Sequence, residues 1–152
     1  MSPLFSKLNL KAQKTVHVLN APPSFEAEIL SLESAKVVRM ATPKIEFAIA
    51  FAVTTADLDA ACVSLVTAAV EDAVLWIAYP KGTSKKYKCE FNRDSGWKVF
   101  GSAGYEPVRM VAIDEDWSAL RFKKTEKIKS ITRSPAGAIS KAGKQRAKAS
   151  EA

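Results

Sequence analysis

Six consecutive residues, Lys81-Gly82-Thr83-Ser84-Lys85-Lys86, hold the densest cluster of hydroxyl and ammonium groups before the basic tail of the chain. Ammonium groups act as point charges and hydroxyls donate hydrogen bonds, so the chemistry this mixture supports is the holding of an anion. Gly82 would let the backbone approach the ligand closely. The segment is not a Walker loop, because the order GxxxxGK[ST] is absent and no helix pattern starts at the glycine. No acidic residue lies between Ala73 and Lys88 to neutralise these lysines locally. The plainer reading of the same residues is a solvated turn leaving a strand.

What precedes the loop gives it a position. Val74 to Tyr79 contains no polar group except one phenol, the pattern of a strand buried on both faces, and Pro80 and Gly82 end it. Ligands of open α/β sheets bind outside the carboxyl ends of parallel strands. Two further turns, Asn20 to Pro23 and Thr54-Thr55, follow strand-like runs and are expected on the same edge. The candidate ligand-binding set is therefore Asn20, Thr54, Thr55, Tyr79, Lys81, Gly82, Thr83, Ser84, Lys85 and Arg93. Arg93 opens a predicted helix with Asp94, where it either reaches a ligand or pairs with Asp114 or Glu115.

Other chemistry-bearing residues have ordinary explanations. His17, the single histidine, lies inside a strand with no second histidine or CxxC to complete a metal site. Cys62 sits in an apolar helical pattern and Cys89 just past the lysine loop, so both are read as free thiols. Trp76 is read as core, and Trp97 and Trp117 as core or stacking platforms. Asp114-Glu115-Asp116 is a charged hairpin turn. No Ser-His-Asp, Cys-His or acid pair assembles, and Asp94, Asp114 and Tyr79 are the available proton-transfer groups near the loop.

Taken in order, the chain predicts a docked arm or short helix over Met1 to Gln13 and a strand over Thr15 to Asn20. A helix over Phe25 to Leu32, capped by Ser24, comes next. Lys36 to Met40 reads as an edge strand and Ile45 to Val53 as a central one. Leu58, Ala61, Cys62, Leu65, Val66 and Ala69 recur at helical spacing, with Thr55 able to cap them. Asn92 is expected to cap a helix over Arg93 to Ala103, ended by Gly104. Pro107 to Asp114 and Trp117 to Phe122 then form a hairpin. The fold class is α/β: a single three-layer, Rossmann-like domain, mostly parallel, with an antiparallel C-terminal hairpin at one edge. The expected strand order starts with the Lys36, Thr15 and Ile45 strands and continues with those at Val74, Trp117 and Pro107.

The net charge of +7 is unevenly distributed. Met1 to Phe122 carries 14 basic and 14 acidic residues, whereas residues 123–152 carry 9 basic against Glu126 and Glu151, so 9 − 2 supplies the whole excess. Two parts are expected: an α/β domain over 1–124 and a basic, solvated tail over 125–152. Lys123 to Lys148 could contact nucleic acid without sequence preference. No apolar run is long enough to span a membrane. With no secretory pattern at the N-terminus, the expected location is the cytoplasm.

The blocks YPKGTSK (Tyr79–Lys85), NRDSGW (Asn92–Trp97) and AIDEDWSALRF (Ala112–Phe122), with LNAPPSF upstream, resemble an uncharacterised bacterial family, a conserved domain of unknown function, over Lys7 to Phe122. The resemblance implies a small cytoplasmic protein and assigns no residue a role. The order of elements is also similar to the C-terminal half of a Rossmann-like methyltransferase sheet. Such enzymes hold their cofactor at a glycine-rich turn after the first strand, and here that turn is Asn20-Ala21-Pro22-Pro23. The prolines supply no amide hydrogens, so adenosylmethionine or a dinucleotide is not expected to bind in the usual manner. The readings left by the sequence are a non-catalytic module for a small anionic ligand or protein segment, a stripped transferase using the same cleft, and a nucleic-acid contact through the tail.

Overall fold

Side-chain alternation decides how the two central strands are buried. In β3 (Ile45–Phe51), Phe47, Ile49 and Phe51 face one side of the sheet and Ala48 and Ala50 the other. In β4 (Ala69–Pro80), Val74, Trp76 and Ala78 share the first side, and Leu75, Ile77 and Tyr79 the second. Both sets are buried, as strands covered on both faces require. The computed structural model describes residues 3–33, 35–91 and 97–124.

Each face has its own helical cover. Phe5 of α1 (Pro3–Lys7), Phe25, and Ile29 of α2 (Glu26–Leu30) pack on the first side. The second side receives Leu58, Ala61, Cys62 and Leu65 of α3 (Thr55–Ala68) and Phe100 of α4 (Lys98–Ser102). The small side chains of Ala48 and Ala50 leave room for α3, whereas the opposite face, met by shorter helices, is filled with phenylalanines. Trp76 is fully buried and its indole Nε1 donates to the Leu8 carbonyl at 2.8 Å, which ties the N-terminal arm to the sheet.

The remaining strands are β1 (Thr15–Leu19), β2 (Lys36–Val38), β5 (Tyr105–Ala112) and β6 (Trp117–Lys124). The sheet runs β2-β1-β3-β4-β6-β5, parallel through β4 and antiparallel across β4–β6 and β6–β5. This is the expected strand order, and the fold is a three-layer, Rossmann-like α/β sheet with an antiparallel hairpin at one edge. No helix among the described residues is long and apolar enough to cross a membrane.

Three local expectations need correction. Ser24 does not cap a helix: it lies inside a 3-10 turn, Pro23–Phe25, and α2 starts only at Glu26, because the prolines set the entry conformation. The cap of α3 is Thr54, whose hydroxyl accepts from Asp57 N at 3.0 Å, while Thr55 is the first helical residue. β4 is longer than Val74 to Tyr79, since Ala69 directly after α3 already pairs with Ile45 through an irregular stretch. Asn92 to Gly96, with the predicted cap and the start of the last helix, lie outside the described residues. Gly104 does close α4, at φ 84°, a left-handed conformation that suits glycine.

His17 is a buried side chain of β1, with Nε2 2.9 Å from Thr42 Oγ1 and Nδ1 without a hydrogen-bond partner. Burial pushes its pKa below the usual range, and the adjoining Phe47 backbone offsets this only in part. The folded state thus favours neutral imidazole, while the unfolded chain takes up a proton near pH 6.5. Stability should accordingly be intact above about pH 6.5 and fall as pH drops towards the lowered folded pKa, with a slope of at most about 1.4 kcal/mol per pH unit. Urea unfolding from pH 8 to 5 checks this. His17→Gln should flatten the difference, and an identical pH profile for the two proteins would rule the assignment out.

Candidate anion-binding cleft

Lys81 leaves the end of β4 and enters a turn in which Ser84 N donates to Lys81 O at 3.0 Å. The Ser84 hydroxyl donates to Asp116 Oδ1 at 2.8 Å and accepts from Lys86 N at 3.2 Å and Tyr87 N at 3.1 Å. Lys81 N donates to Asp116 O at 2.8 Å. Asp116 belongs to the β5–β6 turn, which Asp114 shapes by accepting from Asp116 N at 2.8 Å and Trp117 N at 2.9 Å. The lysine loop and the acidic hairpin turn are therefore one hydrogen-bonded unit.

Past this turn the chain crosses to the end of β3. Glu90 N donates to Val53 O at 3.0 Å, and Glu90 Oε1 accepts from Thr55 N at 2.8 Å. The Glu90 carboxylate and the Thr54 hydroxyl together satisfy amides at the start of α3, where the helix dipole favours negative charge. Phe91 anchors the crossing, with its ring centroid 5.7 Å from Tyr79 and 5.4 Å from Trp97. Tyr87 packs on Trp117 at 4.9 Å on the other side.

Between the turn and the crossing lies a cleft of about 550 Å³ bordered by Tyr79 to Gly82 and Ser84 to Phe91. Of the predicted site residues it gathers Tyr79, Lys81, Gly82, Ser84 and Lys85, with Lys86 beside them. Thr83 faces a smaller depression of about 390 Å³ with Lys85, Lys86, Glu115 and Asp116. Asn20, Thr54 and Thr55 are not part of the cleft wall, and Arg93 lies outside the described residues. The main residues that sequence reasoning passed over are Tyr87, Lys88, Cys89, Glu90 and Phe91. Their signal was the alternation of charged and apolar side chains from Lys86 to Phe91, which puts one set on the crossing's buried side.

Electrostatically the cleft is basic but not bare. Lys81, Lys85, Lys86 and Lys88 line it, with Glu90 as the carboxylate among the described residues of the wall. Glu115 and Asp116 adjoin Lys85 and Lys86, so the local excess of positive charge read from the sequence is moderated by the hairpin. Gly82 has open space where a Cβ would stand and no left-handed φ, so neither strain nor crowding demands glycine there. Lys86 Nζ lies 5.9 Å from the Tyr87 ring centroid, within cation–π range. Burial pushes the Cys89 thiol up, partly opposed by the Phe91 backbone and reinforced by Glu90, so it is not an activated nucleophile. Cys62 is pushed up to about 12 by burial and by Asp59, and both cysteines are free.

The turn after β1 does not fit a cofactor held in the usual Rossmann manner. Asn20 is exposed and left-handed at φ 58°, Pro22 is buried, and Pro22 and Pro23 offer no amide donors where a phosphate or carboxylate would need them.

No protein-family model and no curated protein matches the chain. Among solved structures it is similar to LepI in complex with SAM, at 13% identity, covering 80% of this chain and 39% of LepI, with a TM-score of 0.47. It thus spans about two fifths of that chain. The N-methyltransferase NodS from Bradyrhizobium japonicum WM9 is similar at 10% identity, 80% and 91% coverage and a TM-score of 0.48. The magnesium protoporphyrin IX methyltransferase ChlM from Synechocystis PCC 6803 with bound SAM gives 13%, 80%, 74% and 0.48.

Proposed function

We propose that the chain is a binding module that takes a small anionic ligand in the lysine-lined cleft at the carboxyl end of β4. The observation that carries this reading is the convergence of Lys81, Lys85, Lys86 and Lys88 on one cleft at the edge of the sheet where ligands of this architecture bind. Tyr87 and Phe91 give the same cleft an apolar wall, so a nucleotide or other anion with a planar body is favoured over a bare ion. Two free thiols, one of them fully buried, favour a cytoplasmic setting.

A nucleotide such as ADP should raise the melting temperature at constant ionic strength, since a ligand that binds only the folded state stabilises it by mass action. Lys81→Ala with Lys85→Ala should take away most of that rise and leave the unliganded protein folded, because solvated lysines contribute little to stability. Equal shifts for wild type and double variant would reduce the loop to a connection. The same titration with adenosylmethionine addresses the transferase alternative, which the prolines after β1 oppose.

A second reading concerns residues 125–152. Their charge, which with Lys123 and Lys124 supplies the whole excess over a neutral Met1 to Phe122, favours nonspecific contact of Lys123 to Lys148 with the phosphates of nucleic acid.

A further inference from the structure

The two outermost strands carry a charged feature unrelated to the cleft. In the β5–β6 ladder Pro107 stands opposite Phe122, yet Arg109 stands opposite Arg121, so Val108 is an extra residue. A regular ladder continuing from Pro107 would set Val108 against Arg121 and turn Arg109 to the other face, opposite Leu120. The bulge is therefore what brings the two arginines together on one face, the kind of re-aiming for which such irregularities are retained.

Among the described residues the two arginines stand opposite each other with no ion pair to either. Like charges directly opposite in a sheet destabilise it. Arg109 is exposed and Arg121 half-buried, with its Nε out of solvent and without a hydrogen-bond partner. Neither guanidinium makes an ion pair with a described carboxylate. The adjoining rung sets Glu106, which is buried, opposite Lys123. Burial and, after it, the charge of Arg109 push the pKa of Arg121 down. On its other flank Arg121 stands opposite Trp76, so the pair has an apolar floor on one side and solvent on the other. Along β6 it lies three residues from Ser118, the partner of Tyr79, which separates it from the lysine cleft.

We propose that Arg109 and Arg121 together bind a phosphoryl dianion, either free phosphate or the terminal group of a phosphomonoester. Two planar guanidinium forks match the several acceptors of a tetrahedral phosphoryl group, and its two negative charges offset both cations at once.

The test uses the full-length chain carrying Lys81→Ala and Lys85→Ala, so that the cleft is not read out, with thermal melts at constant ionic strength. Inorganic phosphate and phenyl phosphate distinguish the free ion from the monoester, and a rise with either that Arg109→Gln removes supports the site. Adding Arg109→Gln should raise the melting temperature in phosphate-free buffer by roughly 1–3 °C, because the repulsion is removed, and should abolish the phosphate-dependent rise. Arg109→Lys, which keeps the charge but not the fork, should weaken the rise. The proposal is overturned if neither phosphate shifts the melt, if Arg109→Gln lowers stability without phosphate, or if that variant keeps the full phosphate response. Because the lysine pair is absent throughout, failure here leaves the cleft reading untouched.

Discussion

Trp76→Ala should destabilise the protein by about 3–5 kcal/mol, the range for removing a fully buried aromatic from a packed core. The residue is 0% exposed, pairs with Ile49 of β3 and Arg121 of β6, and shares its face with Phe47, Ile49 and Phe51. The loss has two components. One is the cavity under the N-terminal arm. The other is the Leu8 carbonyl, which loses the indole donor it receives at 2.8 Å and is left unsatisfied beside buried Phe5 and Leu10. Urea unfolding measures the sum, and a loss below roughly 1 kcal/mol would mean that neither the cavity nor the bond is as described. Trp76→Phe helps separate them, since it removes the donor while keeping a large part of the volume, and so should cost less than Trp76→Ala.

Deleting residues 125–152 should abolish salt-sensitive binding to duplex DNA or RNA while leaving the melting temperature nearly unchanged. The deletion takes away Lys127, Lys129, Arg133, Lys141, Lys144, Arg146 and Lys148, with Glu126 and Glu151. If all seven cations reach phosphates, the slope of log K against log salt should fall in magnitude by up to about six. Stability should change little, because the sheet and both of its described cores close by Lys124. Electrophoretic shift at several salt concentrations together with a thermal melt checks both halves. Undiminished binding by the shortened chain would move the activity to the body, where the candidates are the lysine cleft and the Arg109–Arg121 pair.

The fold was legible because its signals are local. Ile45 to Val53 is nearly continuous in apolar residues, and Leu58 to Leu65 recurs at three and four, so strand or helix and buried or open follow from neighbours in sequence. Such patterns do not specify which of two adjacent hydroxyls caps a helix. Thr54 rather than Thr55 does so, because Thr54 is the last residue with extended backbone, φ −98° and ψ 159°. The proline-rich turn defeated the Ser24 cap for a related reason, since prolines choose the backbone before a side chain can.

The candidate site was half legible. Composition alone locates the lysine loop, and the buried strand before it locates the loop at a sheet edge. The alternating stretch from Lys86 to Phe91 offered a signal, but one too short to distinguish a return crossing from a solvated loop.

By itself, then, the sequence determined the α/β class, the strand order, the two-faced burial of β3 and β4, and the separation of a neutral body from a basic tail. The class, the burial and the charge separation follow from apolar runs, periodicity or counting, and the strand order from the rules of parallel crossovers and hairpins. Only the tertiary structure decided what the charges meet. Ser84 and Asp116 are 32 residues apart, Thr55 and Glu90 are 35 apart, and Trp76 and Leu8 are 68 apart. The facing of Arg109 and Arg121 depends on one extra residue in a ladder. Contacts of this kind are set by strand register and by which turns share an edge, and a shift of one residue would exchange every partner across the sheet.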